Sequence, residues 1–160
     1  MATLISKQIK KGGKNMRVKD CMCPNVVWVG TDATICEVAK LMNDNHIGSI
    51  PVCDNNQNVV GIITDRDIIL RSIACDKDVK QTKVTDIMTT DVVRTSKDTD
   101  VSWAANIMAQ NQIRRIPVVE NEKLVGIISL GDLARSKEVP DSEVAHCVCK
   151  ICNCSDQNAE

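Results

Sequence analysis

Two kinds of side-chain grouping in this chain could do chemistry. One is a crowd of thiols, Cys147, Cys149, Cys152 and Cys154, spaced C-x-C-x2-C-x-C beside His146. Four thiolates suffice in number for a tetrahedral zinc or an iron–sulfur cluster. The spacing is tighter than paired C-x2-C knuckles, so a closed site would need a contorted backbone, bridging between chains, or copper(I). The plain alternative is a mobile thiol-bearing tail after Pro140. The other grouping is a hydroxyl followed three places on by an aspartate, Thr64-x-x-Asp67 and again Ser129-x-x-Asp132, each time after a Gly-Ile-Ile run. Such a pair caps a helix, the hydroxyl accepting from a backbone amide and the carboxylate answering back. A carboxylate is also an acceptor suited to a vicinal diol such as a ribose. Sequence spacing leaves both roles open. Arg114 and Arg115 add two guanidiniums, apt for phosphate, or simply charges on a solvated strand edge.

No nucleophile–base pair emerges. His46 and His146 lie in different regions, and neither a P-loop nor a three-glycine dinucleotide fingerprint is present. Catalysis is therefore not expected.

The elements that must position these groups come in two sets. Shifted by 66 residues, Val18 to Val52 lies over Val84 to Val118 with thirteen identities, Asp20/Asp86, Met22/Met88, Ile50/Ile116 and Pro51/Pro117 among them. One deletion later the Gly-Ile-Ile runs align. In the first unit the pattern predicts a strand over 26–29, then a helix from Thr34, where Thr34-x-x-Glu37 fits a capping box, to about Asn45. Strands follow over 49–53 and 59–63, then a helix over 65–74. The second unit predicts 92–95, 101–110, 115–119, 124–128 and 130–135. The fold class is α+β: two β-α-β-β-α repeats packed with pseudo-two-fold symmetry, each a three-stranded sheet with helices on one face. The expected divisions are a flexible leader 1–15, repeats over 16–78 and 79–137, and a disordered cysteine-rich tail 138–160 that adds nothing to the fold. Met16 is an alternative start.

Composition sets the outer limits. The 160 residues carry 20 Lys+Arg against 21 Asp+Glu, and Trp28 and Trp103 are the only aromatic residues. Neither bulk nucleic-acid binding nor base stacking on aromatic platforms is expected. No apolar segment approaches the roughly 20 residues of a membrane span. No secretion signal is evident and the nine cysteines are odd in number, so reduced thiols and a cytoplasmic address are expected.

Taken together, Val18-Lys19-Asp20-x-Met22, Val84-Thr85-Asp86-Ile87-Met88, Ile47-Gly48-Ser49-Ile50-Pro51-Val52, Ile113-Arg114-Arg115-Ile116-Pro117-Val118 and the two Gly-Ile-Ile-Thr/Ser-x-x-Asp runs resemble a tandem pair of cystathionine-β-synthase (CBS) domains. The resemblance covers about 16–136. It implies a regulatory module that binds an adenine nucleotide, S-adenosylmethionine or another adenosine compound in clefts between the repeats. It implies pairing with a second copy into a flat homodimeric disc, and signalling to an effector protein. It places Thr64, Asp67, Arg114 and Arg115 in one cleft, and Ser129 and Asp132 with the uncharged Gly48 and Ser49 in the other. His46 and Arg66 could restore some positive charge there. Val27 and Val93 could line an apolar slot for a base, or simply pack in the core. Two rivals stand beside this reading: a metal or redox protein acting through the cysteine tail, and a structural dimerisation module whose clefts hold nothing.

Overall fold

The computed structural model describes residues 16–136 and 139–152. Its first half runs β1 (Val29–Gly30), α1 (Ile35–Asn45), β2 (Ser49–Cys53), β3 (Val59–Thr64) and α2 (Asp65–Arg71). The second half repeats this order as β4 (Thr95–Ser96), α3 (Val101–Asn111), β5 (Arg115–Glu120), β6 (Lys123–Ser129) and α4 (Leu130–Arg135), and adds α5 (Asp141–Cys152).

Each half builds one mixed sheet, ordered β1-β2-β3 and β4-β5-β6. The first strand runs parallel to the middle one, which pairs antiparallel with the third. Middle strand β2 is buried along its whole length, as its unbroken run Ser-Ile-Pro-Val-Cys requires. The registers agree between halves, Ser49 opposite Thr64 and Arg115 opposite Ser129. Both middle strands slip register near their ends, at Val52/Cys53 and Val118/Val119.

Helices α1, α2 and α4 start behind a capping hydroxyl, and α3 behind the Asp100 carboxylate. Thr34 Oγ1 accepts from the Glu37 amide at 3.3 Å while Glu37 Oε2 takes the Thr34 amide at 2.7 Å. This closes the box expected there and holds the Glu37 carboxyl below its usual range. Helix α1 ends at Asn45 as expected, but Asn45 is not the left-handed residue. His46 takes the left-handed conformation at φ 53°, and the Asn45 side-chain Nδ2 instead donates to Leu41 O at 2.9 Å. In the second half Gln112 and Asn111 divide the same two tasks.

Two short strands lie further along than the sequence pattern predicts. The ladder holds 29–30 and 95–96 rather than 26–29 and 92–95, because Val26, Val27, Val92 and Val93 line hollows instead of pairing.

The interior consists of two aliphatic clusters, and their membership crosses the repeat boundary. Val18, from the first repeat, is fully buried with Val101, Met108, Ile116, Ile128 and Leu133 of the second. Val84, from the second, is fully buried with Ile35, Ile50 and Ile63 of the first. Backbone bonds fasten both exchanged segments: the Cys23 and Ile127 peptides exchange bonds of 2.9 and 3.0 Å, and those of Thr89 and Ile62 do so at 2.9 Å each. A methionine then lies flat on a glycine of the other repeat. A Cβ at Gly126 would meet Met22 Sδ at 2.6 Å, and one at Gly61 would collide with Met88 Sδ. The expected division at 78/79 therefore separates the sequence repeats but not the packing units. The halves also touch at their turns, where the Leu124 amide donates to Gln57 O at 3.1 Å.

The tail departs most from expectation. Residues 141–152 form α5, which packs against α3 and α4 and buries Cys147 and Ile151 in the cluster of Val18, Met108 and Leu133, beside Val139. Val144, Cys147 and Ile151 recur at helical spacing, an apolar stripe that the thiol pattern conceals. The leader 1–15 lies outside the described residues.

Candidate functional site

The N-termini of α2 and α4 carry the paired hydroxyl and carboxylate groups, and both pairs act as caps. Thr64 Oγ1 accepts from the Asp67 amide at 3.1 Å, while Asp67 Oδ2 accepts from the Thr64 amide at 2.9 Å and its hydroxyl at 2.7 Å. Ser129 and Asp132 repeat this with 3.2, 2.8 and 2.6 Å. In each case the cap occupies Oδ2, and an arginine stands at Oδ1. Arg71 Nη1 stands 3.4 Å from Asp67 Oδ1, and Arg135 pairs with Asp132 Oδ1. The two carboxylates are mostly buried, with side chains 13% and 16% exposed. Each oxygen has two lone pairs, so a second donor can be accepted without loss of the cap.

Around the first cap lies a hollow of about 720 Å³, within the usual range for small-molecule sites. Both repeats contribute to it. Thr64 and Asp67 come from the β3–α2 junction, Arg114 and Arg115 from the entry to β5, and Val93 from the segment before β4. Strand alternation does not separate the two arginines here, because Arg114 precedes β5 and its carbonyl accepts from the Leu130 amide at 2.8 Å. Gly48 stands at the corresponding point of the first repeat, where a Cβ would come within 2.7 Å of Asp65 Oδ2 and make that side chain shift.

A second hollow of about 230 Å³ surrounds the other cap, with Ser129, Asp132, Val27, Ile47 and Ser49 in its wall. Two expectations for it are corrected. Gly48 and Arg66 line the first hollow, not this one. Nor is the second hollow without positive charge, since Arg115 lines both. The reason is its place as the first residue of β5, opposite Ser129 in register and at the boundary between the two caps. Sequence reasoning did not single out Thr89 or Asp91 of the first hollow. Their signal is indirect, for Thr89 reaches that wall only through its backbone pairing with Ile62.

Among the described residues, the tail thiols are not gathered. Cys147 faces α3, its thiol 3.4 Å from Ala105 O and pushed up by burial, with the Glu143 carboxylate adding to the effect. Cys149 and Cys152 are exposed, and Cys154 lies outside the described residues. Helical geometry turns positions 147 and 149 toward nearly opposite faces. Among the described residues, no group of three or more His, Cys, Asp or Glu is arranged to hold a metal ion. Among them, too, no helix is long and apolar enough to cross a membrane.

Comparison with known proteins agrees with this architecture. The CBS domain family model matches twice, over residues 18–73 and 84–138. The CBS domain-containing protein YhcV of Bacillus subtilis is 45% identical over 118 residues, spanning 73% of this chain and 82% of its own. Among solved structures, the CBS domain protein TA0289 of Thermoplasma acidophilum superposes with a TM-score of 0.75 at 29% identity, over 84% of this chain and 75% of its own. The CBS domain pair of protein MJ0100, in complex with 5-methylthioadenosine and S-adenosyl-L-methionine, does so with 0.68 at 30% identity, over 75% and 94%. With two matched domains filling more than half of its length, the chain belongs to the CBS domain family as a tandem pair.

Proposed function

We propose that this chain is a regulatory sensor that binds an adenine nucleotide in the first hollow and does not transform it. One observation carries the reading: the capped carboxylate of Asp67, the guanidiniums of Arg114 and Arg115, and the apolar Val93 line a single hollow. Asp67 Oδ1 accepts from the ribose hydroxyls, with Thr64 holding the carboxylate in place; the arginines take the phosphate; Val93 lies against the base. The second hollow, with Asp132, Ser129 and Val27, is smaller and takes the adenosine part of a nucleotide, S-adenosylmethionine or a related compound. The adenosine ligands of the MJ0100 pair support this ligand class.

Signalling requires that the ligand bind two arrangements unequally. The readers of that difference are an effector protein and a second copy of the chain, in the cytoplasm. Exposed Ile69 and Leu70 on α2, and Ile73 just beyond it, give the second copy an apolar surface.

Calorimetry with AMP, ADP, ATP and S-adenosylmethionine tests the reading. At least one of them binds saturably and is recovered chemically unchanged. Asp67→Asn, which keeps an acceptor for the cap, weakens it by about tenfold or more, as loss of a charged hydrogen bond should. Failure of every adenosine compound to bind would refute the proposal.

A further inference from the structure

The two hollows meet at the first residues of the two middle strands, Ser49 and Arg115, and both of these residues line both hollows. They are equivalent positions of the repeat, opposite Thr64 and Ser129 in register. Neither is satisfied by the protein. The Ser49 hydroxyl is buried with no hydrogen-bond partner among the described residues, in a side chain only 7% exposed. A buried hydroxyl left in that state costs stability, and a ligand entering either hollow can supply the missing partner. Arg115 is exposed and makes no salt bridge among the described residues, whereas Arg71 and Arg135 are each engaged by an aspartate.

From this arrangement we infer that Arg115 is a single guanidinium shared by two binding hollows, so that a phosphate bound in one weakens phosphate binding in the other. The inference rests on the adenine-nucleotide reading of the hollows. The first hollow keeps Arg66 and Arg114 when Arg115 turns toward its ligand. The second then has only Asp132, already paired with Arg135, as a charged group among the residues of its wall and offers a phosphate no free guanidinium there. An uncharged adenosine does not meet this conflict. Occupancy by a phosphate-bearing ligand thereby selects an uncharged one for the neighbouring hollow, and by linkage the effect is reciprocal.

AMP titrated calorimetrically into the whole chain tests this. In the wild type the second AMP binds about tenfold more weakly than AMP binds the second hollow of Asp67→Asn at concentrations that leave its weakened first hollow empty, a coupling of ordinary size. Adenosine in place of AMP shows no such difference. In Arg115→Gln, which removes the guanidinium from both hollows but leaves Asp67, Arg66 and Arg114 in the first, the two stepwise affinities for AMP become independent of each other. Equal second-hollow affinities in the wild type and Asp67→Asn would overturn it, as would an Asp67→Asn chain that binds adenosine but no AMP. The Arg115→Gln comparison decides the matter alone if Asp67→Asn does not fold. Absence of any AMP or adenosine binding overturns the ligand reading itself, whereas two independent AMP sites overturn only the sharing.

Discussion

Replacing Ile151 by alanine measures whether the cysteine-bearing helix belongs to the fold. Ile151 is 8% exposed and packs in the cluster containing Met108, Ile116 and Leu133. Truncating a buried isoleucine removes its transfer energy and leaves a cavity, typically about 2–5 kcal/mol. The last turn of a surface helix can partly collapse, and alanine is the better helix former by a few tenths of a kcal/mol, which places the loss at about 2 kcal/mol. For a chain of this size that lowers Tm by about 4–8 °C. Val148, on the same helix but 40% exposed, is the control: Val148→Ala shifts stability by less than about 0.5 kcal/mol. Thermal and urea unfolding followed by circular dichroism gives both values. Equal effects of the two substitutions would show that α5 is not docked on α3, and the account of the tail would fail.

Three further outcomes follow from the same packing and electrostatics. Val84→Ala, at a fully buried position in the cluster of the opposite repeat, costs about 2 kcal/mol in urea unfolding from lost burial and cavity; a loss under about 0.5 kcal/mol would contradict the exchange. The Cys53 thiol is pushed up to about 11 from its ordinary 9.0, by burial first and the Asp54 carboxylate second. The folded chain then holds this proton longer than the unfolded one, so the contribution is intact below about pH 9 and is lost as pH rises toward about 11. Urea midpoints should fall across that window and fall less in Cys53→Ala; identical slopes would refute the assignment. Finally, a thiol-modifying reagent should label exposed Cys23, Cys75 and Cys149 well before buried Cys147 and Cys53, with mass mapping to read the order. Labelling of Cys147 as fast as Cys149 would contradict its burial.

The duplicated architecture was legible because apolar periodicity and capping chemistry are local. Thr34-x-x-Glu37, Thr64-x-x-Asp67 and Ser129-x-x-Asp132 all cap the helices they predict. Convergence of Asp67 with Arg114 and Arg115 was legible only through family resemblance, since nothing local to either segment brings them together. What escaped has physical causes. The sharing of Arg115 arises from its place at the boundary between two hollows, a property of register rather than of spacing. The docking of α5 was hidden because four cysteines invite a ligand reading, while one of them serves as a small apolar core residue. The exchange of Val18 and Val84 could not be seen because aligning the repeats pairs these residues as equivalents without saying which half each one fills.

That exchange offsets the heritable segment from the folding segment. A fragment covering only 16–78 leaves Val84 behind and carries Val18 away from its neighbours, so it has a void in one interior and a stray apolar end. A fragment covering 24–89 retains Val84 with Ile35, Ile50 and Ile63, and also keeps Met88 seated over Gly61. Anyone transplanting half of this protein into another host should move the cutting window downstream accordingly, because a cut made where the alignment begins severs a clasp rather than a hinge.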